Sequence, residues 1–307
     1  MKLLKRMVPL LIALAPIDCQ AVDQLVAEGA KVKKLAGDFG FTEGPAWHGE
    51  EQALYFSDLK GKTTHRWSEK DGHAQIRKGE QTSNGIWVDA EGNLVFCEVG
   101  GFRIVLRTLA GKETTVVEGI EGKPLGQPND LWIAPGGGIY FSVPDKSKKI
   151  PRLAREGRVM GSVLLIEPDG KVRDVGAAID IRSPNGVVGS ADGKRLYFTD
   201  RGKCWVAKIG EDGSLSEKKI AAPKGSDGLT LDEHGNLYTT SKAGVEVFAP
   251  DASRLGLIPV PKTPANVCFG GEDGKTLFVT ARTGLYSVRM RVRGDAFASS
   301  SREGTPR

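Results

Sequence analysis

Six oxygen-bearing side chains recur at one place in a repeating unit of this chain: Glu43 (EGPAW), Asn84 (NGIWV), Asn129 (NDLWI), Asn185 (NGVVG), Asp227 (DGLTL) and Asn266 (NVCFG). None is aliphatic. If the repeats are arranged about an axis, these residues form a ring of hard oxygen donors with two carboxylates. Such a set suits calcium, with magnesium or manganese next. No His or Cys belongs to it, which speaks against a zinc centre. The competing reading is local: Asn and Asp ahead of glycine are turn formers whose side chains cap nearby backbone. Recurrence at all six sites, with an acid at two and proline before Asn129 and Asn185, favours the ring.

The elements that must position this ring are short strands. In the last five copies a glycine follows at a fixed offset: Gly92, Gly137, Gly193, Gly235 and Gly274. A second apolar run comes next: LVFCE, IYFSV, LYFTD, LYTTS and LFVTA. The first copy lacks the glycine, yet ALYFSD stands at the expected distance. A period of roughly 40 residues, with two short strands and a tight turn, is the pattern of a propeller blade. The expectation is an all-β, six-bladed β-propeller over residues 22–293. Lys31–Leu35 (KVKKL) is expected to complete the final blade beside GLYSVRMRV, which removes exposed sheet edges. Residues 22–31 read as a mobile lead-in or a single helical turn, and 294–307, small, polar and charged, as a disordered tail. The longest gap between copies, Asn129 to Asn185, holds PDKSKKIPRLAREGRVMG at 144–161, either a lid over one mouth or a solvated insertion. Trp47, Trp87 and Trp132 fall at matching strand positions and read as packing between blades.

Composition excludes several classes. The formal charge of +5 falls once Lys2, Lys5, Arg6 and Asp18 of the N-terminus are set aside, and the remaining basic residues are scattered, so nucleic acid is not an expected partner. The apolar stretch MVPLLIALAP behind those charges is too short to span a bilayer. Residues 1–21 therefore read as an export leader cleaved after Ala21, which implies a periplasmic or secreted protein; Asp18 argues against lipid anchoring at Cys19. Cys97, Cys204 and Cys268 then remain, an odd number with no CxxC, so neither a disulfide framework nor a redox motif is expected. His48, His65, His73 and His234 offer no inner-strand dyad. No Gly-x-Ser-x-Gly elbow or phosphate-binding glycine motif occurs.

FTEGPAW, QPNDLWI, SPNGVVGSADGKRLYFTD and SDGLTLDEHGNLY resemble, in order, the signature segments of the gluconolactonase family, which includes regucalcin. The resemblance runs from about Val32 to Val292, and the closing stretch GVEVFAPDASRLGLIPVPKTPANVCFGGEDGKTLFVTARTGLYSVRMRV is similar to the bacterial gluconolactonase branch. It implies a six-bladed propeller that hydrolyses a sugar lactone, a gluconolactone-like aldonolactone, to the aldonic acid with Ca2+, for which Mg2+, Mn2+ or Zn2+ substitute. Glu43, Asn185 and Asp227 match metal ligands, and Asn129 matches a residue that binds metal in some members and substrate in others. Asp227 also matches the proposed general base. Substrate hydroxyls are expected at Asn129 and Asn84. Two segments depart from the bacterial pattern: YFSVPDKSKK, with Val143 where Asp is usual, and CEVGGFR, with Val99 where His is usual. Glu98 and Arg103 remain in the second segment and read either as substrate contacts or as a surface or inter-blade ion pair. Gln127 stands where the animal branch has Arg. These departures keep two alternatives open: hydrolysis of another lactone, an ester or an organophosphate, and a non-catalytic metal-binding propeller.

Overall fold

A computed structural model describes residues 20–225 and 227–300. Six four-stranded antiparallel sheets succeed one another along the chain. Their innermost strands are Thr42–His48, Ser83–Val88, Leu131–Ile133, Pro184–Gly189, Leu229–Leu231 and Pro264–Gly270. Each pairs with the apolar run that follows it: Ala53–Asp58, Leu94–Glu98, Ile139–Val143, Arg195–Asp200, Leu237–Ser241 and Thr276–Ala281. The protein is a six-bladed β-propeller. Phe56, Phe96, Phe141 and Phe198 hold the same register in the second strands of the first four blades and are fully buried, so the apolar layer between sheets repeats with the sequence.

The ring closes with strand Lys33–Gly37, which pairs antiparallel to Gly284–Arg289 from Lys33↔Ser287 to Gly37↔Gly284. The closing strand thus starts and ends two residues later than KVKKL suggested. The tryptophans pack between blades as expected: Trp132 lies on Gly189, and Trp47 lies on Gly270 and stacks on Phe278 with ring centroids 5.4 Å apart.

The lead-in holds a helical turn, and the C-terminal end is more structured than composition suggested. Gln20–Asp23 forms a helical turn, with Val22 buried against Gly256 and Leu25 also buried. At the other end Asp295–Ser300 is helical rather than loose. Phe297 explains this, because its ring packs onto Gly274, while Asp295 accepts a hydrogen bond from the Ala191 amide (2.7 Å). The leader proposed for residues 1–21 falls almost wholly outside the described residues, as do residues 301–307 of the tail. No described helix is long and apolar enough to cross a membrane.

The 144–161 insertion is a fastened loop. It contains the short helix Pro151–Arg155 with Leu153 fully buried. Val159 bridges to Leu125, Arg158 Nη1 donates to the Leu125 carbonyl (2.7 Å), and the Arg158 guanidinium lies 4.1 Å from the centroid of the Phe102 ring.

Candidate metal centre and active site

The ring residues sit where each chain segment enters its innermost strand, and the crowding there explains the glycine that follows most of them. A Cβ on Gly228 would lie 1.9 Å from Asn266 Oδ1, and one on Gly186 would lie 2.4 Å from the Asp227 carbonyl. Any side chain at these points would push the neighbouring blade outward. Buried hydroxyls then clamp the ring backbone from the preceding blade: Ser57 Oγ donates to the Asn84 carbonyl (2.8 Å), Ser142 Oγ to that of Asn185, and Thr199 Oγ1 to that of Asp227 (3.1 Å). The polar Ser or Thr near the end of these second strands is thus explained as a positioning device.

Three side chains meet on the axis. The carboxyls of Glu43 and Asp227 are hydrogen bonded to each other, and Asn185 is bonded to Asp227. Burial above all, then the charges of Asp227 and Asp130, pushes the Glu43 carboxyl well above the usual range. Burial also raises Asp227, against the lowering effect of its bonds to Glu43 and Asn185 and of the positive charges of Lys146 and Arg282. Two such carboxyls cannot both ionise side by side, so the metal-free pair shares a proton. Asn185 Oδ1 is buried with no hydrogen-bond partner. Among the described residues no group of three or more His, Cys, Asp or Glu is assembled as a metal cage. The set here is two carboxyls and a carboxamide oxygen. An orphaned buried oxygen beside two carboxyls that must share a proton is a donor arrangement that a hard divalent cation satisfies. Asn84 and Asn129 lie buried on the same ring.

Asn266 does not join this layer. Its Oδ1 accepts from the Val267 amide (2.8 Å) and its Nδ2 reaches across the axis to Asp130 Oδ2 (3.3 Å). Asp130, which motif reading overlooked beside Asn129, also accepts from the amides of Leu131 (3.0 Å) and Val187 (3.3 Å). Burial pushes its carboxyl up to about 7 despite those bonds. The available signal was its position: where Glu43, Asn84, Asn185 and Asp227 are each followed by glycine, Asn129 is followed by an acid. Beneath this pair a cavity of about 240 Å³, lined mainly by apolar groups including Trp47, Trp87 and Trp132, fills the channel as far as residues 294–297.

Glu98 and Arg103 are not brought to the ring. Glu98 is fully buried with one oxygen against Arg77 and the other against Arg103 Nε (2.5 Å), and Arg77 Nε continues to Glu113 (2.8 Å). Glu98 and Arg103 pair within one blade, and Arg77 joins them from the outer strand of the preceding blade, Gly72–Lys78. The departure at Val143 is likewise peripheral. At the matching place in other blades, Asp58 accepts from the amides of Gly40 and Phe41 (both 2.8 Å), and Asp200 from that of Ser183 (2.8 Å). In the third blade the insertion replaces that anchor, with the Gly126 amide donating to the Val159 carbonyl (2.8 Å).

Lys146, within the insertion, is the other residue that motif reading did not single out. Its Nζ donates to Gln127 Oε1 (3.2 Å), and the acids Asp227 and Glu43 act on its charge.

This chain is 27% identical to a gluconolactonase of Zymomonas mobilis, over 89% of this chain and 85% of that protein. It is 26% identical to a pentonolactonase of Haloferax volcanii, over 79% and 81% of the two chains. The solved structure of a gluconolactonase from Xanthomonas campestris superposes with a TM-score of 0.78 at 29% identity, covering 88% of this chain and 92% of that one. Residues 41–283 match the SMP-30/Gluconolactonase/LRE-like region. That span covers most of the chain and every residue of the axial ring: the protein belongs to the SMP-30/gluconolactonase family.

Proposed function

We propose that the protein is a calcium-dependent lactonase that opens a sugar lactone to the corresponding aldonic acid. The observation that carries this reading is the Glu43–Asp227 carboxyl pair on the axis beside the orphaned Asn185 Oδ1. Glu43, Asn185 and Asp227 would hold the ion, with Asn129 adjoining them. When bound, calcium supplies polarisation of the lactone carbonyl and stabilises the charge that forms there.

The remaining work falls to the chain. Calcium acidifies water only weakly, so a carboxylate base is useful, and Asp227 takes the proton of the attacking water. Burial raises its proton affinity and suits it to that task. As the ring C–O bond breaks, Asp227 returns that proton to the departing oxygen. Its backbone is held from two sides: its amide donates to Thr240 Oγ1 (3.2 Å) and its carbonyl accepts from Thr199 (3.1 Å). Asn84 and Asn129, neutral donors and acceptors, orient substrate hydroxyls. Similarity to a gluconolactonase and a pentonolactonase supports the substrate class. The leader-like residues 1–21 support export, and we place the mature protein in the periplasm or outside the cell.

The test is acid release from glucono-1,5-lactone and a lactone panel, first after chelation and then with calcium restored, corrected for spontaneous hydrolysis. Calcium-restored turnover is expected. Silence across the panel with calcium bound would overturn the reading in favour of another ester or of a binding propeller.

A further inference from the structure

The mouth above the ring carries an excess of positive charge. Lys146 and Arg282 both act on Asp227, yet among the described residues neither makes an ion pair. Comparable cations in neighbouring turns do: Lys62 with Glu80 (2.5 Å), and Arg201 with Asp180 (3.2 Å) and Asp200 (3.3 Å). Among the described residues, Lys60, Lys148, Lys149, Lys224 and Lys242 in turns around the same mouth also make no ion pair. In the metal-free site, Glu43 and Asp227 offset part of this charge. A divalent cation on those acids takes the offset away. Asp130, the remaining acid on the axis, lies in the layer below with its oxygens engaged by Asn266 and by backbone amides.

Lys146 is held for contact with a ligand. Its carbonyl accepts the amides of Lys149 (3.0 Å) and Ile150 (2.7 Å), and Asp145 Oδ1 caps the Ser147 amide (2.8 Å), which fixes the turn. Its ammonium is half-buried, and its one hydrogen bond is to a neutral oxygen of Gln127, itself tethered to the Val99 carbonyl (3.5 Å). Arg282, in the last blade, also acts on Asp227 and is exposed, with its guanidinium 5.4 Å from the centroid of the Phe41 ring. A half-buried ammonium with spare donors and no anion lacks part of its binding partner.

We infer that the lactone taken at this site bears a second, anionic group, a carboxylate or a phosphoryl group remote from the lactone carbonyl, and that Lys146 binds it. This inference rests on the lactonase reading and narrows its substrate class. The surrounding lysines attract the same anion from solution, an effect that weakens as salt is added.

The experiment compares glucono-1,5-lactone, which is neutral, with glucaro-1,4-lactone and 6-phosphoglucono-1,5-lactone, in calcium, for wild type, Lys146→Gln and Lys146→Arg. The two anionic arms tell carboxylate from phosphoryl. Wild-type kcat/KM is expected to favour one anionic lactone, with the preference shrinking in salt. Lys146→Gln is expected to lose about 10- to 100-fold on that lactone, in line with one charge-assisted hydrogen bond, and less than about threefold on the neutral one. Lys146→Arg is expected to recover most of the loss. Equal losses on neutral and anionic lactones, or a wild-type preference for the neutral lactone, would overturn the inference and leave the lactonase reading intact. Calorimetric binding of glucarate and 6-phosphogluconate separates the two failures. Anion binding that vanishes in Lys146→Gln, with no lactone opened, would overturn the lactonase reading and keep the anion site.

Discussion

Glu43→Gln separates the two consequences of placing carboxyls together on the axis. In the metal-free protein Glu43 is buried against Asp227, and burial first, then the charge of Asp227, raises the proton affinity of the Glu43 carboxyl. Two unit charges about 4 Å apart interact by about 4 kcal/mol at an effective dielectric constant of about 20. The shared proton relieves much of that, so an isosteric amide is expected to raise metal-free stability at pH 8 by about 1–2 kcal/mol. At about 2–4 °C per kcal/mol for a domain of this size, Tm rises by roughly 2–8 °C. With calcium the sign reverses. The variant offers one carboxylate instead of two, which weakens binding by roughly 2–4 kcal/mol, about 30- to 700-fold. With calcium 100-fold above the wild-type Kd, wild type gains about 2.7 kcal/mol, and a variant weakened about 100-fold gains only about 0.4 kcal/mol. The assay is thermal unfolding of both proteins at pH 8, in chelator and across a calcium titration. The variant should melt higher in chelator and gain far less from calcium. Equal calcium-induced shifts would remove Glu43 from the ligand set, and a lower metal-free Tm in the variant would refute the argument from crowded carboxyls.

Asp227→Asn should abolish turnover while the fold survives, and retained kcat would remove Asp227 as the base. Calcium binding should release roughly one proton, the one shared by Glu43 and Asp227, and should therefore weaken as pH falls; calorimetry in buffers of different ionisation enthalpy reads this directly. Asp130 adds a separate metal-free dependence. Its carboxyl titrates near 3.8 when unfolded and at about 7 when folded, so its contribution is fully present below pH 3.8 and is lost as pH rises through 7. Asp130→Asn should flatten Tm against pH across that window, and an unchanged slope would contradict its burial. Thr199→Val removes the donor to the Asp227 carbonyl and strands the buried Gly186 amide that bonds to Thr199 Oγ1 (3.0 Å). The expected loss is about 1–3 kcal/mol in a denaturant titration, and no change would sink the clamp.

The blades were legible because each repeats the same two demands, an oxygen-bearing residue at the axis and an apolar run to pack between sheets. The axial placement of Glu43, Asn185 and Asp227 was legible for the same reason. Asn266 shows where that logic stops: its type fits the ring, but its amide serves Asp130 across the axis, and only the three-dimensional layer order separates the two jobs. Asp130 itself was masked by Asn129, since Asn-Asp reads as an ordinary turn pair. Val143 looked like a change at the site, yet its position anchors a loop that the insertion now supports. Nothing in the run of lysines at 146, 148 and 149 distinguishes the residue that faces inward, because that depends on the turn made by the Lys146 carbonyl. The helix at 295–300 was hidden by its small residues and exists because Phe297 finds a bare glycine to pack on.

The hydrogen bond from Asn266 to Asp130 crosses the axis, and residues 294–297 lie across the far mouth, so the channel is a blind well and not a tunnel. On the proposed lactonase reading, the incoming lactone and the newly made acid share the mouth that Lys146 lines, so the two compete for it. The charge that would draw an anionic substrate in also holds on to the acid that leaves, and adding salt would then speed release while slowing capture.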